Sequence, residues 1–315
     1  MRIIINFAKG FKATGMTTKM VLFLLIINLF FSLLLAIPMY NSLKNSLGSS
    51  EAGERMAEGF DYLWWEEFID NAKGLETTFN PSIIGKGAVL NNLDGLIKMR
   101  FLTFPPVIIF FGFFYIVLHT FLAGGILSIF NQDTPKFTMK EFTKGAGHYF
   151  FRFFVLMLIS WLFFLAFAYL LDSEFTLIID NISENSLTEV TPFYFALVFN
   201  TIILFLLFFI QMVFDYARIK IVLEGSRNVL KSAVEAFSFV FKHPFSTLGL
   251  YYLIFLISIA VTVIYILLKD FIPQSNFLMV FTAFLLQQMF IFSVIWLRCC
   301  LYSSQMELFR YLTIE

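Results

Sequence analysis

Few side chains in this sequence are equipped to do chemistry. His119 stands alone inside an apolar run from Phe101 to Phe130, Asp215 and Arg218 lie three apart where a run beginning at Phe193 closes, and Arg298 follows the end of another run at Leu297. Residues three apart meet on one helix face, so Asp215 and Arg218 can pair locally. Arg298, at similar depth, is the natural second partner. Twenty-two helical residues from Phe193 cover about 33 Å, which sets Asp215 near the membrane boundary rather than at the costly centre, where it can stay ionised. The pair reads first as an interfacial ion pair fixing helix depth and rotation. Together with Lys220, Arg227 and Lys231 it also reads as a contact for lipid head groups. A catalytic carboxylate at Asp215 is the third reading.

An ionisable residue deep in hydrocarbon is expensive, which makes His119 a functional candidate; a neutral imidazole bonded to a neighbouring helix explains it as well. Asn28, Asn200, Gln211, Gln287 and Gln288 also fall inside apolar runs. Hydrogen bonds between such residues contribute about 0.6 to 1.7 kcal/mol each, so they are expected to glue helices together, with a substrate path as the alternative. Enzymatic constellations are missing. The chain has no His-Glu-x-x-His, no Walker glycine loop and no Gly-x-Ser-x-Gly, and His119, His148 and His243 lack metal-ligand spacing. Paired carboxylates for acid–base work are absent from the apolar runs. No enzymatic activity, cofactor or metal is expected.

The elements that must carry these residues are long and apolar: Met20 to Tyr40, Phe101 to Phe130, Phe151 to Leu171, Phe193 to Phe214, Leu248 to Leu268 and Phe277 to Leu297. A hydrocarbon core about 30 Å thick needs roughly 20 helical residues at about 1.5 Å each, and each run reaches that length. Composition agrees: 59% of the 315 residues are apolar and 14% charged, with Phe alone supplying 45. A soluble globule has nowhere to hide that surplus. The fold class is therefore an all-α polytopic membrane bundle of six transmembrane helices arranged as three hairpins, forming one integral membrane domain over residues 1–315.

The formal charge is zero, yet the bases are unevenly shared once loops alternate across the membrane. Only Lys44, Arg55, Lys73, Lys86, Lys98, Arg100 and Lys269 fall opposite the N-terminus. The positive-inside rule then puts both termini in the cytosol. The first run is too long for a cleaved signal peptide, and Ala36-Ile37-Pro38 lacks a small-x-small site, so it reads as an uncleaved anchor. Cys299 and Cys300 are adjacent at the end of the sixth run, in a reducing compartment, and no disulfide is expected. Reversible acylation is an alternative to a plain packing role for them.

Each hairpin is entered through a basic, Phe-bearing segment. Phe7-Ala8-Lys9-Gly10 precedes the first helix and Phe142-Thr143-Lys144-Gly145 the third, while Val229, Leu230, Ala233, Val234, Phe237, Val240 and Phe241 form a helical apolar stripe before the fifth. These segments form amphipathic helices lying in the headgroup layer, and a weak threefold repeat. The fourth helix is expected to run past the bilayer to Gly225, its first natural stop. On the other side, residues 41–100 form a long loop in which Phe60, Tyr62, Trp64, Trp65, Phe68 and Ile69 share one arc of a helix at the outer interface. Asn80-Pro81 ends that segment, and a loop of about twenty residues joins the third and fourth helices.

Three stretches carry a family resemblance: Phe121-Leu-Ala-Gly-Gly-Ile-Leu127; Glu141-Phe142 through Gly145, Tyr149, Phe150 and Arg152-Phe153; and Asp215-Tyr-Ala-Arg-Ile219 through His243-Pro244. From Phe101 onward the chain resembles a largely uncharacterised family of bacterial six-helix membrane proteins. More distantly it is similar to the membrane domain attached to some glycerophosphodiester phosphodiesterases. The resemblance implies the six-helix plan and no phosphodiesterase activity, since that domain is missing. The function expected is a non-enzymatic scaffold that organises the membrane or binds partners through anionic-lipid contacts; the alternative is a transporter or channel for a small or lipidic solute. Expected partners are membrane lipids, anionic ones above all, with a protein partner or a second copy of the chain. Nucleic acid is not among them.

Overall fold

The computed structural model describes residues 2–48, 51, 52, 55, 60–79, 104–186, 188, 190–272 and 276–314. These form nine α-helices and one 3-10 turn, with no strand among the described residues: α1 Arg2–Met16, α2 Thr18–Leu47, α3 Tyr62–Asn71, the turn Gly74–Thr78, α4 Pro106–Phe130, α5 Met139–Asn185, α6 Val190–Glu224, α7 Val229–Lys242, α8 Pro244–Asp270 and α9 Phe277–Ile314. Six of them, α2, α4, α5, α6, α8 and α9, are long and apolar enough to cross a membrane. The protein is an all-α multi-pass membrane bundle. Asn80-Pro81 and the first three residues of the expected second span lie outside the described residues.

Local signals set the helix ends. Thr138 accepts from the Glu141 amide to cap α5, and Asn228 accepts from the Lys231 amide to cap α7. Pro106 and Pro244 open α4 and α8, where a missing N–H costs nothing. Gly225 stops α6 at φ +64°, a conformation that side-chain-bearing residues rarely adopt. Three spans overrun the expected limits, the first being α2, which runs past Tyr40 to Leu47 in the stretch read as loop. No Gly or Pro lies between Gly147 and Pro192, and α5 continues through most of the expected loop after the span. At its other end it starts at Met139 and takes in the basic segment despite Gly145 and Gly147. The segment at Phe142–Gly145 is thus the start of a span, not a separate interfacial helix. Likewise α9 carries on past Leu297 to Ile314.

Packing is concentrated at one end of the bundle. The buried core joins Met20, Val21 and Leu24 of α2, Leu122 to Phe130 of α4, Phe142 to Leu156 of α5, Ile210 to Val222 of α6, Leu250 to Ile254 of α8 and Cys299 to Leu312 of α9. This is the basic end. Toward the opposite end large apolar side chains are exposed, as at Phe110, Leu162, Phe193 and Phe281, which is the surface that hydrocarbon would wet. At the core, α4 and α5 approach closely: a Cβ on Gly125 would sit 2.7 Å from the Phe142 ring. Cys299 and Cys300 are enclosed in the same core, so neither presents a sulfur for acylation.

The amphipathic helices α1 and α7 dock through their small residues. Gly10 and Thr14 of α1 are buried, Gly10 lying against Ser304 of α9; Ser232 and Ala236 of α7 are buried too. Ile4 and Ile5 on one and Leu230, Val234 and Phe237 on the other are exposed, while Phe11 packs edge-on against Trp296 of α9 and Phe241 against Phe209 of α6. That outward stripe suits a helix lying in the headgroup layer. At the opposite end, α3 does not present its arc of aromatics to the bilayer as a free face. Trp64 and Phe68 are buried against Ala52, with Leu43, Leu47 and Phe79 packed around them, and Trp64 Nε1 donates to Ser46 Oγ at 3.1 Å.

Asp61 holds this outer unit together. It pairs with Arg55 at 2.6 Å and accepts from the amides of Leu63 and Trp64 at 3.1 Å, capping α3. The Arg55 hydrogen bond, followed by the Trp64 amide, holds the carboxyl below the usual carboxylate range. A depressed folded-state pKa stabilises the folded form above the unfolded value and is lost as pH falls through the folded one. The tryptophan near-ultraviolet signal should hold steady down to about pH 4 and decay below it. Asp61→Asn should remove that decay.

Candidate functional site

Every residue of α6 from Met212 to Ile219 is buried, so this turn-rich stretch is surrounded by other helices on all sides. Asp215 sits within it, its side chain wholly buried. Arg218, one turn on, donates from Nη1 to Asp215 Oδ1 at 3.0 Å; Arg298 of α9 donates from Nη2 to the same oxygen at 3.0 Å, and Gln211 Nε2 reaches it at 3.3 Å. The Tyr302 hydroxyl accepts from Arg298 at 3.0 Å and from Arg218 at 3.4 Å, and the Arg298 guanidinium lies 4.6 Å from the centre of the Tyr302 ring. Two guanidiniums therefore share one carboxylate. With all three ionised the cluster carries a net positive charge. Asp215 Oδ2 and Arg218 Nε are buried and have no hydrogen-bond partner.

In front of this cluster lies a cavity of about 560 Å³, walled by α2, α4, α5, α6 and α9. That is within the range of roughly 300 to 1,000 Å³ in which proteins hold small molecules. Arg218 and Arg298 reach its wall, joined by Gln211, Tyr302, His119 and Ser160, while Asp215 stands behind them. Among the described residues the wall has no carboxylate. Asn28, Tyr115 and Thr120 add polar groups, and most of the remaining lining is apolar, including Leu24, Ile116, Phe164 and Phe290. His119 presents itself to this space beside Tyr115, ring centres 4.3 Å apart.

The other residues singled out in the sequence are placed differently. Asn200 is half-buried on α6 and Gln287 is exposed on α9, and neither lines the cavity. Lys220 is turned inward, bonded to Glu224 at 2.6 Å and paired with Glu235 at 3.2 Å. Lys231 reaches Glu235 at 3.8 Å, and Arg227 is exposed. Tyr302, Ser160, Tyr115 and Thr120 belong to the site although sequence reading did not single them out. The one available signal was Tyr302 standing four residues after Arg298, on the same helix face. Among the described residues no three His, Cys, Asp or Glu side chains gather closely enough to hold a metal ion.

Fold and site together define an integral membrane protein with six long apolar helices, five of which enclose, toward one end, a cavity with a cationic floor. Compared with protein-family models, with curated proteins and with solved structures, the chain matches none.

Proposed function

We propose that this protein is a carrier that binds an anionic solute inside the membrane, with Arg218 and Arg298 as the anion's partners. The observation that carries this reading is the imbalance of the cavity: two guanidiniums on its wall, one shared carboxylate behind them, and no acid facing inward among the described residues. A buried charge lacking full compensation is costly where dielectric is low. A bound anion would complete the compensation. In this reading the basic end faces the cytosol, as the positive-inside rule directs, and the host membrane is a bacterial inner membrane.

Glycerophosphate, a headgroup-sized anion, is the probe. Purified protein in zwitterionic nanodiscs should bind it, and Arg298→Gln should weaken binding about tenfold or more, because a hydrogen bond to a charged group contributes about 1.5 to 3 kcal/mol. Glycerophosphate held equally by wild type and variant, or by neither, would refute the reading. A second reading, the membrane-organising scaffold, draws on the outward stripe of α7 and its neighbouring bases. It needs no cavity and leaves Arg298→Gln without consequence for anion binding.

A further inference from the structure

A second cavity of about 460 Å³ adjoins the first, sharing Asn28, Tyr115 and Ile291 with it. Its walls are Leu25, Leu29, Phe31 and Leu35 of α2 with Ile108 and Phe111 of α4, closed behind by α9. It exists because α2 and α4 do not pack closely against each other among the described residues, although both are held to α9. Leu29, Ser32 and Gly112 on its walls are exposed, so the space is open at the surface of α2 and α4. From Ile126 at the guanidinium end to Ile108 at the far end, the joined groove follows eighteen residues of α4, about 27 Å of rise. That is close to the thickness of the hydrocarbon core, about 30 Å.

The polar groups along this path are distributed unequally. At the junction, the Tyr115 hydroxyl donates to Asn28 Oδ1 at 2.6 Å and Asn28 Nδ2 donates to the Leu24 carbonyl at 2.9 Å; farther out, Ser32 donates to the Leu29 carbonyl at 2.8 Å. These groups are satisfied within the protein, so hydrocarbon can lie against them without stranding a donor. Gln288 is the fourth polar residue on these walls. At the other end stand the two arginines, Arg218 and Arg298. One end asks for an anion and the rest accepts a chain.

Resting on the anion-binding reading above, we infer that the solute is a single-chain anionic amphiphile. Its headgroup sits at Arg218 and Arg298, and its hydrocarbon chain lies in the groove between α2 and α4, entered sideways from the bilayer.

Three probes separate headgroup from chain: hexadecyl phosphate, inorganic phosphate and zwitterionic hexadecylphosphocholine, each measured by equilibrium binding to the full chain in zwitterionic nanodiscs. Hexadecyl phosphate should bind at least tenfold tighter than either of the others. Gly112 lines the groove and a Cβ there meets only open space, so Gly112→Trp can fill the groove without disturbing the core. It should weaken hexadecyl phosphate at least tenfold and leave inorganic phosphate unchanged. Ser32→Trp, on the facing helix, should do the same and covers the case in which the first variant does not fold. Arg298→Gln should weaken both anions. If hexadecyl phosphate binds no tighter than inorganic phosphate, or both tryptophan variants bind it normally, the chain assignment is overturned while the anion site stands. If hexadecylphosphocholine matches hexadecyl phosphate and Arg298→Gln changes neither, the groove takes any chain, and both readings fall.

Discussion

Asp215→Asn should destabilise the folded protein by about 3 to 5 kcal/mol, the cost of removing one partner from a buried ionic cluster. The amide keeps the size of the carboxylate and an oxygen acceptor, but it removes the negative charge that Arg218 and Arg298 share through Asp215 Oδ1 at 3.0 Å. Tyr302, which accepts from both guanidiniums, cannot supply the missing charge. Thermal unfolding in mild detergent measures the effect. The discriminating control is Asp215→Asn combined with Arg218→Gln, which removes one charge of each sign. If electrostatics dominates, the double variant should recover a substantial part of the loss, so the two changes are strongly non-additive. A single variant as stable as wild type would mean that the guanidiniums find compensation elsewhere, and the cationic character argued for the cavity would fail with it.

The second large effect concerns the seam between α4 and α5. Gly125→Ala should cost about 1 to 3 kcal/mol, the usual range for overpacking a filled core. The new methyl would lie 2.7 to 2.8 Å from the Phe142 ring, and Phe142 is itself buried and unable to retreat into solvent. Phe142→Leu alone should also destabilise, by leaving space. Combined, the two should cost less than their sum, because the added methyl partly occupies the volume the ring gives up. Unfolding midpoints of the four proteins test this. Strict additivity would show that the two residues do not compete for the same space.

These two sites also show how differently the sequence spoke about separate parts of the molecule. The small residues Gly124 and Gly125 inside an apolar run announced a close helix approach, since few other purposes bring adjacent glycines into a span. The three-residue spacing of Asp215 and Arg218 announced their pairing, and Arg298 at matching depth its place as second partner. The arrest of α6 at Gly225 was equally legible. By contrast, the run ending at Leu297 gave no warning that Arg298 to Ile314 continues as helix into the best-packed part of the protein, because a charged residue ordinarily marks where a span leaves the membrane. The aromatic arc of α3 looked like a membrane-interface face, yet Trp64 and Phe68 are spent on the end of α2 and Ala52.

Residue order alone determined the solvent and the number of crossings, because hydrocarbon thickness imposes a length and a composition on each span that local chemistry displays openly. It also determined which side gathers the bases. Only tertiary structure decided that His119, Tyr115, Ser160, Arg218, Arg298 and Tyr302 face one space, and that Asn200 and Gln287 do not. A helix that is apolar all round, such as α4, α6 or α9, has no polar stripe to say which face turns inward. That choice is made by neighbours distant in sequence, through which ridges fit which grooves, and the cavity is what their fit leaves unfilled.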